Sequence, residues 1–287
     1  MTAQLVSRSE TLPGPSVAGP VLHLFGGPYV RLDGCRREVP EGSKRLLAFI
    51  ALRRQRVERQ HAAGLLWPVG SDERAAGNLR SALWRLRGAD IDLLVVDKCS
   101  LRLRDDVAVD AELVGDWAVR LIRGTMHPDE LTIMPSWAEA LDLLPGWYDD
   151  WVLLERERLR QRVLHALEAL SRHLVTVGRF AEAVEAAMVA VGVEPLRESA
   201  QRALVTAHLA EGNRVEAHRC FTAYREVLRR ELGAEPTAGL TALVLPRPSR
   251  SCGWLVGSRE GRLLTDATRH QAGGPTARGP ARRRPPR

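Results

Sequence analysis

The spacing of apolar residues changes along the chain, and each change marks a different kind of element. Residues 21–39 alternate short β-prone runs with Gly26-Gly27-Pro28 and the hairpin pair Asp33-Gly34, which predicts a small antiparallel sheet. Leu46, Leu47, Phe49, Ile50 and Leu52 then recur at helical spacing up to Arg53, with Ser43 placed to cap their helix. A second helix is expected over 58–67, stopped by Pro68, which has no N–H to donate. The third, over 72–87, carries the fullest set of signals. Ser71 stands at its N-cap, Asp72 and Glu73 sit in the first turn where the helix dipole favours negative charge, and Gly88 ends it. Leu79, Leu83 and Leu86 form its core-facing stripe. Two strands, 93–96 and 100–104, follow around a turn at 97–99. A sheet, three helices and a hairpin in this order predict a winged helix-turn-helix.

From about Val109 the pattern turns to long amphipathic helices with no credible strand. Leu159, Val163, Ala166, Leu167 and Leu170 form one stripe; Val184, Ala187, Met188 and Val191 a second; Ala203, Leu204, Ala207 and Leu209 a third. Gly178-Arg179-Phe180-Ala181-Glu182-Ala183 is echoed by Gly212-Asn213-Arg214-Val215-Glu216-Ala217, 34 residues on. That period belongs to tetratricopeptide-like helix pairs, whose flanking helices complete the stack. The fold class expected is therefore mainly α with a small β component. The domain reading is a disordered lead-in (1–20), a winged module (21–105), a helical domain (106–245) and a disordered basic tail (246–287).

Charge sharpens this division. Residues 21–105 carry 16 Lys+Arg against 10 Asp+Glu, a net of +6; residues 106–245 carry 15 against 22, a net of −7; residues 246–287 carry 10 against 2, a net of +8. A basic module joined to an acidic one suits one polyanionic partner and one different partner. With 45% hydrophobic and 27% charged residues the composition is that of a soluble globular protein. No apolar run approaches the ~20 residues that span a bilayer, and the first twenty residues lack a signal-peptide core. Cys35, Cys99, Cys220 and Cys252 show no CxxC spacing, which argues for reduced cytoplasmic thiols rather than zinc ligands or disulfides.

With its leucines in the core, the third helix presents Asn78, Arg80, Ser81, Trp84, Arg85 and Arg87 on the opposite face. Arginine can pair bidentately with guanine and asparagine with adenine in the major groove, while Ser81 suits phosphate and Trp84 a thymine methyl or a sugar. Lys44 and Arg45 lie at the start of the first helix, where N–H groups and cations together hold a phosphate. Arg102 and Arg104 alternate on the last strand and share one side of the wing, facing backbone or minor groove.

Enzymatic chemistry has no foothold: phosphate-binding glycine loops, a dinucleotide fingerprint, a nucleophile elbow and H-E-x-x-H spacing are all missing from the sequence. His165, His173, His208 and His218 read as surface or core-filling helix residues, and Asp149-Asp150 with Glu155 and Glu157 as solvated or helix-start charges. No catalytic residue, cofactor or metal site is nominated.

These residues resemble a known family. Leu65-Leu66-Trp67-Pro68 and then 73–87 (ERAAGNLRSALWRLR) are similar to the DNA-binding module of the Streptomyces antibiotic regulatory protein (SARP) activators. Leu144-Pro145-Gly146-Trp147-Tyr148-Asp149-Asp150-Trp151 with Glu155-Arg156, and the ending from Tyr224-Arg225 to Leu232-Gly233-Ala234-Glu235-Pro236-Thr237, are similar to their bacterial transcriptional activation domain. The resemblance covers about 21–242. It implies an OmpR-like winged helix plus a tetratricopeptide-like domain, binding promoter direct repeats as a homodimer. It further implies recruitment of RNA polymerase through its sigma factor at a secondary-metabolite gene cluster, hence a cytoplasmic, nucleoid-associated protein. By position it places Arg80, Ser81, Trp84, Arg85, Arg87 and Arg102 at DNA. The wing departs from the family in reading Cys99-Ser100 where Gly-Tyr is common. No segment like the larger members' nucleotide-binding domain is read, so ATP regulation is not implied. The alternative function is a non-enzymatic interaction adaptor, with the helical domain binding proteins and DNA binding vestigial.

Overall fold

A computed structural model describes residues 19–127, 131–132 and 142–245, all within one compact unit of the chain. The expected lead-in before residue 19 and the expected basic tail, with Cys252, lie outside the described residues. β1 (Val21–His23), β2 (Tyr29–Leu32) and β3 (Cys35–Glu38) form an antiparallel meander. Its tight turn is the one the sequence indicates, with Asp33 and Gly34 at φ 50° and 79°.

α1 (Glu41–Arg53) starts after Pro40 rather than at Ser43. Ser43 does not cap it. The residue is fully buried, and its hydroxyl donates to the Ala82 carbonyl at 2.8 Å. β4 (Val57–Glu58) takes the first residue expected of the second helix into the sheet, and α2 (Arg59–Leu66) follows. In α3 (Asp72–Gly88), Ser71 caps as expected by accepting from the Arg74 N–H. Leu79, Leu83 and Leu86 are 2%, 8% and 3% exposed, which fixes the helix's outward face. Gly88 is the last helical residue, and Ala89 caps the end. β5 (Leu94–Val96) and β6 (Ser100–Leu103) form the wing hairpin, with β4 on the other side of β6.

β7 (Ala108–Val109) then pairs parallel with β1, a strand too short for any periodicity to reveal. The remainder is α4 (Asp110–Arg123), α5 (Asp150–Thr176), α6 (Phe180–Val193), α7 (Glu198–Glu211), α8 (Arg214–Leu232) and α9 (Ala238–Val244). α5–α6 and α7–α8 are antiparallel hairpins of the tetratricopeptide-like kind. Gly178 and Gly212, at φ 78° and 90°, make the matching turns before α6 and α8, and Ala183 and Ala217 are both fully buried. Of the stripe expected on α6, Ala187 is buried and Val184 and Val191 pack against the core, but Met188 does not. Ala183, Ala186, Ala187 and Ala190 are buried, whereas Met188 is 57% exposed. That helix is apolar nearly all round, so spacing alone cannot choose its inward face.

The winged and helical parts share a continuous apolar core. Asp110, 1% exposed at the start of α4, accepts from the N–H groups of Leu24 (2.9 Å), Phe25 (3.2 Å) and Ala111 (2.7 Å). A buried carboxylate is tolerated because those donors replace its water. Phe49 of α1 meets Trp151 of α5 edge-on at 5.3 Å. Arg156 gathers the loop before α5 by donating to the carbonyls of Leu143, Leu144 and Trp147.

Candidate nucleic-acid interface

α3 presents Arg80, Ser81, Trp84, Arg85 and Arg87 as exposed residues, with Asn78 half-buried beside them. Trp84 is 74% exposed, a large apolar surface to leave in water at the centre of a helix. Arg80 and Arg87 have no acidic partner among the described residues. Arg85 is held differently. Its Nη1 lies 3.5 Å from the Gly42 carbonyl, and a Cβ at position 42 would stand 2.4 Å from that nitrogen. Gly42 therefore leaves the space that Arg85 occupies.

The supporting cations read from the sequence have partners of their own. Lys44 pairs with Glu41 at 2.7 Å, Arg102 with Asp105 at 2.8 Å, and Arg104 with Asp92 at 3.2 Å and Asp106 at 2.6 Å. Arg45 is ion-paired with Asp149, just ahead of α5. Exposed pairs of this kind are worth ~0–1 kcal/mol, so an incoming phosphate can compete for them.

Two cations that the sequence reading passed over complete the surface. Arg59 at the start of α2 and Lys98 in the wing turn line a cavity of about 500 Å³ together with Arg80. Lys98 is exposed and has no acidic partner among the described residues. Arg59 donates to the Asp97 carbonyl at 3.2 Å, tying α2 to the wing. A short helix start and a single turn lysine carry no periodic signal, so only the pairing of β4 with β6 brings them together.

Asp97 organises that turn. Its carboxylate accepts from the Ser100 hydroxyl (2.8 Å) and from the N–H groups of Cys99 (2.8 Å) and Ser100 (2.6 Å), with Arg56 alongside. These donors hold its pKa down to about 2, the Ser100 hydroxyl contributing most. Cys35 and Cys99 are exposed free thiols, and burial pushes the Cys220 thiol up. Among the described residues no three His, Cys, Asp or Glu side chains gather as a metal site, and no helix is long and apolar enough to cross a membrane.

Residues 137–245 match the family model described as bacterial transcriptional activator domain. The match covers well under half of the chain. It takes in α5–α9, while α1–α4 and the β-strands precede it. The chain is also similar in fold to a solved structure of Mycobacterium tuberculosis EmbR in complex with a low-affinity phosphopeptide. The two are 18% identical with a TM-score of 0.59, covering 78% of this chain and 64% of that one. This chain thus spans less than two thirds of the EmbR chain. No curated protein matches it. The activator-domain match agrees with the resemblance read from residues 144–237, and the likeness to EmbR is one of fold.

Proposed function

We propose that this chain is a DNA-binding transcriptional activator whose α3 enters the major groove, with residues 21–105 as the DNA-binding module. The helical part, which contains the activator domain, engages RNA polymerase through its sigma factor. The observation that carries this reading is the outward face of α3: Arg80 and Arg87 without acidic partners, Trp84 exposed between them, and Arg59 and Lys98 at the adjoining cavity. Arg80, Arg85 and Arg87 are the base or phosphate contacts, with Asn78 and Ser81 beside them; Lys44, Arg45, Arg102 and Arg104 join only by exchanging their carboxylates for phosphate. Binding to promoter direct repeats as a homodimer, control of a secondary-metabolite cluster and a place at the nucleoid follow from the SARP resemblance. The chain acts as a regulator rather than an enzyme.

Mobility shifts on a panel of promoter fragments test this across salt concentration. Each phosphate contact steepens the slope of log K against log salt by about 0.9. The double variant Arg80→Ala/Arg87→Ala should keep its melting temperature and lose specific retention. A protein that retains no DNA at low salt, or a folded double variant that still activates its promoter, refutes the proposal; the second result would favour the protein-binding adaptor.

A further inference from the structure

A cavity of about 260 Å³ opens where the winged and helical parts meet, between the end of α1, the start of α4 and α5. That is below the ~300–1,000 Å³ of sites for drug-sized ligands, so it admits only a small molecule. Its walls carry three arginines and three carboxylates: Arg54 closing α1, Glu112 and Asp116 on α4, and Glu155, Arg158 and Arg162 on α5. The lining is electrically balanced, which disfavours a phosphate or a nucleic acid there.

These charges pair off incompletely. Arg54 is ion-paired with Glu112, and Arg158 with Glu155 at 2.6 Å. Arg162 and Asp116 are left over. Both are exposed, and neither has a hydrogen bond or an ion pair among the described residues, with the other or with any third group. They are close neighbours all the same. A Cβ at Gly115, the residue before Asp116, would stand 3.2 Å from Arg162 Nη1, so that guanidinium rests against the backbone of α4. Arg54 is not fully used either. Its Nε is buried without a hydrogen-bond partner, and burial lowers its pKa against the opposing pull of the Asp116 charge. A lone anion at Arg162 would be repelled by Asp116, and a lone cation at Asp116 by Arg162. An unpaired cation and an unpaired anion so close together are the complement of a molecule with one carboxylate and one ammonium group on adjoining atoms.

We infer that this cavity is a binding site for a small zwitterion of the α-amino-acid type, its carboxylate on Arg162 and its ammonium group on Asp116. The occupant touches both parts of the chain, since α1 belongs to the winged module and α5 to the helical one. This does not depend on the DNA-binding reading. Isothermal titration of the full chain with each of the standard amino acids tests it. For the tightest binder, the analogue lacking the ammonium group and the analogue lacking the carboxylate follow. At least one free amino acid should bind in the millimolar range or tighter, and each analogue about tenfold more weakly or worse, the loss of one charge-assisted contact. Asp116→Asn should erase the preference over the analogue without the ammonium group, and Arg162→Gln the preference over the analogue without the carboxylate. Both positions are exposed, so the melting temperature without amino acid should not change. Binding by none of the amino acids, an analogue that binds as tightly as its parent, or a preference that survives in either variant overturns the inference.

Discussion

Ser43 of α1 reaches 2.8 Å to the carbonyl of Ala82 in α3, and one residue earlier Gly42 opens the space in which Arg85 lies. The start of α1 thereby sets both the position of α3 and the direction of one of its outward arginines. Gly42→Ala separates the two effects. The added Cβ meets only the flexible end of Arg85, and alanine is the better helix former by ~1 kcal/mol. Thermal unfolding should show unchanged or slightly raised stability. Titration of promoter DNA should show an affinity altered by several-fold, because Arg85 must move. An unchanged affinity would remove Arg85 from the interface.

Arg45 is shared between two tasks, pairing with Asp149 in the structure and standing near the start of α1 where phosphate is proposed to bind. Asp149→Ala should free it. Stability should fall by no more than ~1 kcal/mol, since Arg45 is 43% exposed. The salt dependence of DNA binding should steepen by up to about 0.9 in log–log slope. A slope that does not change would show that Arg45 stays clear of the phosphates.

Trp84 contributes its surface to water rather than to the core. Trp84→Ala should therefore change stability by less than ~0.5 kcal/mol, while promoter affinity drops. Calorimetry and mobility shifts on the same preparation check the pair of outcomes. A large loss of stability would mean that the indole supports the fold instead.

The wing turn should respond to acid. Asp97 has a folded pKa of about 2, below its ordinary value near 4, so its hydrogen bonds stabilise the turn at pH values above about 4 and are lost as pH falls through about 2. The carboxyl carbon of Asp97, followed by NMR, should titrate near pH 2, and the Cys99 and Ser100 amides should shift with it. Ser100→Ala removes the largest cause and should move that midpoint upward; a midpoint near 4 in the native chain would contradict the turn geometry.

Much of the fold was legible because burial imposes a period. The leucine stripe of α3, the Ser71 cap, the Asp33-Gly34 turn and the repeat at Gly178 and Gly212 are local or periodic signals, and each is present in the structure. Ser43 misled because a serine near a helix start suits a cap as well as a buried bond to another helix. Met188 misled because α6 offers apolar residues on every side. β7 and β4, two residues each, are defined by partners distant in sequence. Within the candidate interface the sequence picked out the face of α3, yet not Arg59 and Lys98, which join it only through the fold.

By itself the sequence determined which side of α3 faces water, since three leucines at helical spacing must enter the core and leave the arginines outside. It also determined the paired-helix character of the second half. Tertiary structure decided which cations stay available: Arg80, Arg87 and Lys98 have no acidic partner among the described residues, while Lys44, Arg45, Arg102 and Arg104 are held by carboxylates. Hydrophobic burial is repetitive and so is written along the chain. Charge pairing depends on distances of a few ångströms between residues remote in sequence, and only the folded backbone sets those distances.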